Sequence, residues 1–111
     1  MKSITTYISE KMIYNKTTAS TYNYFPKTRE KLEDILKELI KERGNDGDFN
    51  DIDTSEITDM SNLFSPDFCG DVSEWDVSNV TNMKWMFDGC EKFNCDLSKW
   101  NVSNVREMTG M

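Results

Sequence analysis

The chain has 111 residues, 37% hydrophobic and 12% aromatic, which fits one domain with a modest core and argues against disorder. Its net charge of −7 is uneven: residues 1–44 hold nine Lys/Arg against six Asp/Glu, and residues 45–111 hold four against fourteen. No basic residue lies between Arg43 and Lys84 while ten acids do, so that stretch repels nucleic acid and anionic membrane and attracts basic surfaces. An acidic surface kept for solubility is the competing reading.

The first residues, "MKSITTYISEKMIYNK", have no apolar h-region, and nothing in the chain approaches ~18 consecutive apolar residues. Ile4, Tyr7, Ile8 and Met12 suggest a short helix near 3–14 with Ser3 as its cap. Residues 15–25 read as an extended connection with aromatic anchors. "FPKTREKLEDILKELIKERGNDGD" then places Leu32, Ile35, Leu36, Leu39 and Ile40 on one stripe, which predicts a helix over 28–43. Pro26 and Thr28 suit its start and Gly44 its stop. A membrane- or partner-binding amphipathic helix is the alternative use of that stripe, but its polar face is not strongly basic.

From residue 48 onward the chain repeats itself. "FNDIDTSEITDMSNLF", "DVSEWDVSNVTNMKWMF" and "DLSKWNVSNVREMTGM" align slot by slot. Phe49, Val72 and Leu97 share one position, and Ile52, Trp75 and Trp100 the next. Thr54/Val77/Val102, Ile57/Val80/Val105 and Met60/Met83/Met108 follow, with Leu63/Met86/Met111 behind them. The period is 23 and then 25, and the difference lies in one link: Phe64 to Phe68 is four residues, Phe87 to Phe93 six. Length change confined to one link marks a loop between units. The alternation around each Trp predicts a short strand, and Met83, Met86 and Phe87 at i, i+3 and i+4 predict a short helix after it.

"WDVSNVTNMKWMF...FNCDLSKWNVSNVREM" resembles the BspA-type leucine-rich repeat family, whose bacterial members carry tandem W-[DN]-V-S-[NK]-V-T-x-M-x-x-M-F units. The resemblance covers about residues 48–111 and implies adhesion or protein binding on long, surface-exposed arrays. The expectation is therefore an α+β protein of one domain over 1–111. Helices in 1–44 would form an N-terminal cap, and a short leucine-rich-repeat-like solenoid of about two and a half repeats would begin near 48, 71 and 96.

Catalytic chemistry has little to draw on. There is no His, no phosphate-binding Gly loop and no G-x-S-x-G, so no catalytic residue and no cofactor are expected. The repeated Ser73/Ser98 and Ser78/Ser103 read as turn hydrogen-bonders. Cys69, Cys90 and Cys95 lack paired C-x-x-C spacing, and no metal is expected. Asp46, Asp48 and Asn50 stand at EF-hand positions one, three and five, but Asp51 replaces the Gly and Ile57 the Glu that the loop requires. A loose divalent site among those acids is the remaining metal reading.

On alternating strands, Asp51–Glu74–Lys99 and Asp53–Asp76–Asn101 would form outward rows beside Ser55, Ser78 and Ser103. Those six row residues are the expected partner-binding surface. The leading function is a non-enzymatic protein-interaction module that presents an acidic face to a basic protein, with no direct nucleic-acid or membrane binding. Two alternatives stand beside it: a cytosolic phage or mobile-element inhibitor of a nucleic-acid-binding protein (anti-CRISPR or DNA-mimic type), and a fragment of a bacterial surface adhesin. Three unpaired thiols point to a reducing cytosol, or to the cell surface if the chain is part of a longer exported protein. The last coil is expected to expose Val102, Val105, Met108 and Met111. A homodimer through that end is the simplest closed arrangement, unless another partner covers it.

Overall fold

The computed structural model of the protein describes residues 22–110. The expected helix near 3–14 and most of the connection over 15–25 fall outside the described residues. Among the described residues there is one helix, α1 (Arg29–Arg43). Thr28 stands before it in an extended conformation and its Oγ1 accepts the Lys31 N–H at 3.2 Å, satisfying one of the free first-turn donors. Gly44, at φ 81°, ends it and donates its N–H to the Ile40 carbonyl at 2.8 Å. Glu30 in the first turn and Lys41 and Arg43 in the last complement the helix dipole.

Leu32, Leu36 and Leu39 are buried along one face of α1, each contributing about 2 kcal/mol of apolar burial. That face packs into a core shared with the first two copies of the repeat: Phe49, Ile52, Ile57 and Met60, then Val72, Trp75, Val77, Val80, Met83 and Met86. Both ends of the helix are tied to the first copy. Arg29 reaches the carbonyls of Ser61 and Asn62, and Arg43 reaches the Asp48 carbonyl and the Asp51 carboxylate.

The copies are built of turns and lie side by side in parallel register. Isolated bridges join Asp48 to Asp71, Asp59 to Asn82 and Asn82 to Glu107. Tyr24 makes the same kind of contact with Ile52. Between bridges, side chains do the linking. The indole of Trp75 donates to the Phe49 carbonyl at 2.9 Å, and that of Trp100 to the Val72 carbonyl at 3.0 Å. Asn79 and Asn104 likewise donate to the carbonyls of Ser55 and Ser78, both at 2.7 Å. At one corner Phe64, Phe68, Phe87 and Phe93 stack, with Phe64 and Phe68 centroids 4.1 Å apart and Phe87 and Phe93 4.5 Å apart.

This architecture overturns the α+β expectation. Among the described residues there is one helix, no sheet and only isolated bridges, so neither a leucine-rich-repeat-like solenoid nor an N-terminal helical cap is shown. The physical reason lies in the turns. Asp71 and Asp76 each bind the N–H two residues on, so turns close on both sides of Trp75 and leave too few extended residues for a ladder. The expected short helix fails for a different reason. Asn62, Trp85 and Gly110, in one slot of the three copies, all take positive φ (53°, 59° and 72°). A left-handed residue at that place ends any right-handed helical run. Successive turns take its place, with Met86 donating to the Met83 carbonyl and Cys90 to that of Phe87.

Candidate functional site

The outward rows read from the sequence exist as charged positions, but their side chains are occupied. Each copy carries the same short-range device, an Asp or Asn side chain that accepts the N–H two residues ahead. Asp53 does so from Ser55, Asp76 from Ser78 and Asn101 from Ser103, at 3.0, 3.0 and 3.1 Å. A second row repeats it: Asp48 with Asn50, Asp71 with Ser73 and Asp96 with Ser98. A third is formed by Asp59 with Ser61 and Asn82 with Lys84. The serines singled out as turn-makers in the sequence are thus the donors. Of the groups that hold them, Asp76 and Asn101 were read only as a surface, and Asp71 and Asp96 were not singled out.

Asp51, Glu74 and Lys99 are not a self-repelling ladder. Arg43 grips Asp51 with two bonds of 2.8 and 3.0 Å, and Asn23 adds a third at 3.0 Å. Lys99 reaches Glu74 at 2.8 Å with both side chains largely in solvent, a geometry of small energetic weight. What remains outward and uncompensated is Asp53 and Asp76, with Asn101 continuing their row without charge.

Hydrogen bonding favours the ionised form of Asp51, Asp71, Asp76 and Asp96. The Ser78 hydroxyl and N–H hold Asp76 below the ordinary carboxylate range. Asp71 is lowered to about 2 by the Ser73 N–H and hydroxyl, with help from Asn50. Burial pushes Asp51 upward, and the bonds from Arg43 and Asn23 more than offset it, leaving the group below its usual value. The Ser98 N–H lowers Asp96. Tyr22 senses the same field: partial burial, then Asp53, Asp76 and Glu74, raise its hydroxyl.

A cavity of about 370 Å³ opens beside the second row, lined by Asp46, Asp71, Asp96, Cys69, Cys95 and Lys92 among others. Its Asp71 and Asp96 carboxylates are engaged in their own turns, and no group of acids and thiols among the described residues has the arrangement to hold a metal ion. The loose divalent reading of Asp46, Asp48 and Asn50 meets the same geometry, because Asp48 accepts from both nitrogens of Asn50. Burial, followed by the Asp88 charge, raises the Cys90 thiol, and burial first of all raises Cys95, both away from the thiolate form that nucleophilic attack requires.

The third copy is placed differently from the second. Val102 and Met108 are 37% and 45% exposed, and Leu97, Trp100 and Val105 are half-buried, whereas their second-copy counterparts are at most 3% exposed. Met111 falls outside the described residues. Trp85, at 41% exposed, was not singled out in the sequence. Its backbone has the φ of 59° that bulky residues rarely adopt, and its indole lies so close to Gly110 that a Cβ there would collide with it. The alignment of Trp85 with Asn62 and Gly110, two residue types that favour that conformation, was the available signal.

Among the described residues, a helix stapled to turn-built tandem copies, without a sheet, defines a repeat protein whose units are joined by main-chain bonds and by side-chain-to-backbone bonds. Residues 31–111 match the family model described as Mycoplasma protein of unknown function, DUF285, and the chain belongs to that family. No curated protein and no solved structure matches it.

Proposed function

We propose that the chain is a non-enzymatic protein-interaction module that offers the uncompensated Asp53 and Asp76, with Glu74 of the neighbouring row beside them, to a basic protein surface. One observation carries this reading. Asn101 closes the same turn as Asp53 and Asp76 without a charge, so the turn itself does not require the two carboxylates. The turns also fix the acids in place, so little side-chain entropy is lost when a partner binds. We further infer that the repeat units are kin to those of the BspA-type leucine-rich repeat family, on the shared W-[DN]-V-S-N-V-x-x-M spacing at Trp75 and Trp100.

The test exploits the same equivalence. The triple variant Asp53→Asn, Glu74→Gln, Asp76→Asn keeps every turn acceptor and removes three charges. Proteins captured from the native cell by the wild-type chain and lost with the variant should be basic, and their capture should weaken as salt rises. A predominance of nucleic-acid-binding proteins among them would favour the inhibitor reading. Identical capture by both chains would leave the acids as a solubility feature.

A further inference from the structure

The sequence holds two Asp-Gly pairs, Asp46–Gly47 and Asp88–Gly89, and the fold treats them oppositely. An aspartate followed by glycine is prone to ring closure, because the next amide nitrogen can reach the side-chain carboxyl carbon and glycine has no Cβ to obstruct it. Asp46 and Asp88 are both exposed, so access to solvent does not separate the pairs. The backbone does.

Gly47 is pinned. Its N–H donates to the Gly44 carbonyl at 3.2 Å, and its carbonyl accepts from Asp71 at 2.9 Å. A Cβ on it would lie 2.6 Å from that of Arg43, so the chain has no room to swing there. Gly89 is the third residue of a turn closed by the Cys90 N–H on the Phe87 carbonyl at 3.0 Å, with the φ of 76° that suits a type II turn. The peptide in the middle of that turn is nearly unheld. Among the described residues the Gly89 N–H makes no hydrogen bond, and the Asp88 carbonyl meets only the Cys90 thiol, at 4.0 Å. The groups on either side are anchored, the Asp88 N–H on the Trp85 carbonyl at 3.3 Å and the Gly89 carbonyl under the Glu91 N–H at 2.9 Å. Such a peptide can rotate as a unit, about ψ of Asp88 and φ of Gly89, without breaking a main-chain bond of the turn. A Cβ on Gly89 would touch only Pro66, at 3.6 Å, so space for the rotation is open.

We propose that Asp88–Gly89 is a site of spontaneous isoaspartate formation, and that the fold protects Asp46–Gly47 from the same reaction. The Gly89 nitrogen bonds to Cγ of Asp88 in its carboxylic acid form, the bond from Cγ to the hydroxyl breaks, and that hydroxyl leaves with the amide proton as water. Water then opens the succinimide ring at one of its two carbonyls. Addition at Cγ restores aspartate, and addition at the main-chain carbonyl leaves isoaspartate, an isomer of the starting chain. The product lengthens the main chain by one carbon inside a link that already spans six residues here against four in the first copy. Asp88 stands apart from Asp53 and Asp76, so the reaction is independent of partner binding.

The full chain, folded in warm near-neutral buffer made with heavy-oxygen water, tests the proposal beside a matched sample in urea. Each ring opening leaves one heavy oxygen at the site, read by mass spectrometry of the two peptides. The ratio of labelling at Asp88 to labelling at Asp46 should be about tenfold larger in the folded chain than in urea, because the folded Asp46 site must first break a hydrogen bond. An isoaspartate peptide of unchanged mass should accumulate at position 88, separable by reversed-phase chromatography. Asp88→Glu, which would need a larger ring, should abolish both signals there and leave Asp46 as it was. A ratio that is the same in both samples or smaller in the folded chain, or a folded chain without labelling at Asp88, overturns the proposal.

Discussion

Replacing Trp75 by Phe should cost far more stability than the same replacement at Trp100, although the two occupy one slot of the repeat. Each indole donates one hydrogen bond to a carbonyl of the preceding copy, so the chemistry removed is the same. The acceptors differ. The Phe49 carbonyl belongs to a fully buried residue and has no other donor among the described bonds, whereas the Val72 carbonyl also accepts the Trp75 N–H at 3.1 Å. Orphaning the first costs about 1–3 kcal/mol, and the smaller ring at a site only 3% exposed adds about 1 kcal/mol of lost packing. At Trp100 the acceptor stays bonded and the ring is half in water, so the loss should be about 0.5–1 kcal/mol. For a domain of this size, about 2–4 kcal/mol corresponds to roughly 10–30 °C in melting temperature, easily separated from the few degrees expected at Trp100. Urea titrations of both variants, followed by far-UV circular dichroism, give the two free energies directly. Equal losses would refute the reasoning, because they would mean that burial and acceptor sharing do not distinguish the copies.

Two further outcomes rest on single residues. Asp71 has a folded-state pKa lowered from 3.8 to about 2, so its contribution is complete above the unfolded value and disappears as pH falls through that window. Asp71→Asn keeps the turn acceptor without the titration, and the gap in melting temperature between about pH 5 and pH 2 should shrink; an unchanged gap would place the acid sensitivity elsewhere. Gly70→Ala should destabilise by about 1–3 kcal/mol, because its Cβ would lie 2.5 Å from the Phe49 ring, which is fully buried and cannot retreat. In the third copy Cys95 occupies the Gly70 slot beside Val72, a smaller residue than Phe49. Phe49→Val and Gly70→Ala together should therefore cost less than the sum of the two single losses, and a double variant as bad as or worse than that sum would argue against that packing.

The sequence was legible where one side chain makes one contact per copy. Aligning Trp75 with Trp100 put both indoles on equivalent carbonyls, and Leu32, Leu36 and Leu39 lie on the face of α1 that their spacing demanded. It was misleading where a pattern could be satisfied in two ways. The W-x-V alternation suits a strand, but a strand needs neighbours in a ladder, and Asp71 and Asp76 spend the adjacent N–H groups on turns. Met83, Met86 and Phe87 have helical spacing, yet Trp85 between them is left-handed. The candidate rows were found as positions only. Whether an Asp faces a partner, grips an Arg as Asp51 does, or folds back on its own backbone as Asp76 does depends on atoms several residues away.

The stacked corner of Phe64, Phe68, Phe87 and Phe93 has a practical consequence. Between its rings the chain runs four residues in the first copy and six in the second, yet Phe64 still lies 5.2 Å from Phe87 and Phe68 6.0 Å from Phe93. The rings thus act as a clasp that fixes where the backbone leaves and returns, while the turns between them differ in length from copy to copy. Extra length inserted between Phe87 and Phe93 is bounded by a closed gate of aromatic rings, so its entropy cost grows only with the logarithm of its length. That link is where this chain can be lengthened, or be made to carry a foreign peptide, without renegotiating the rest of the fold.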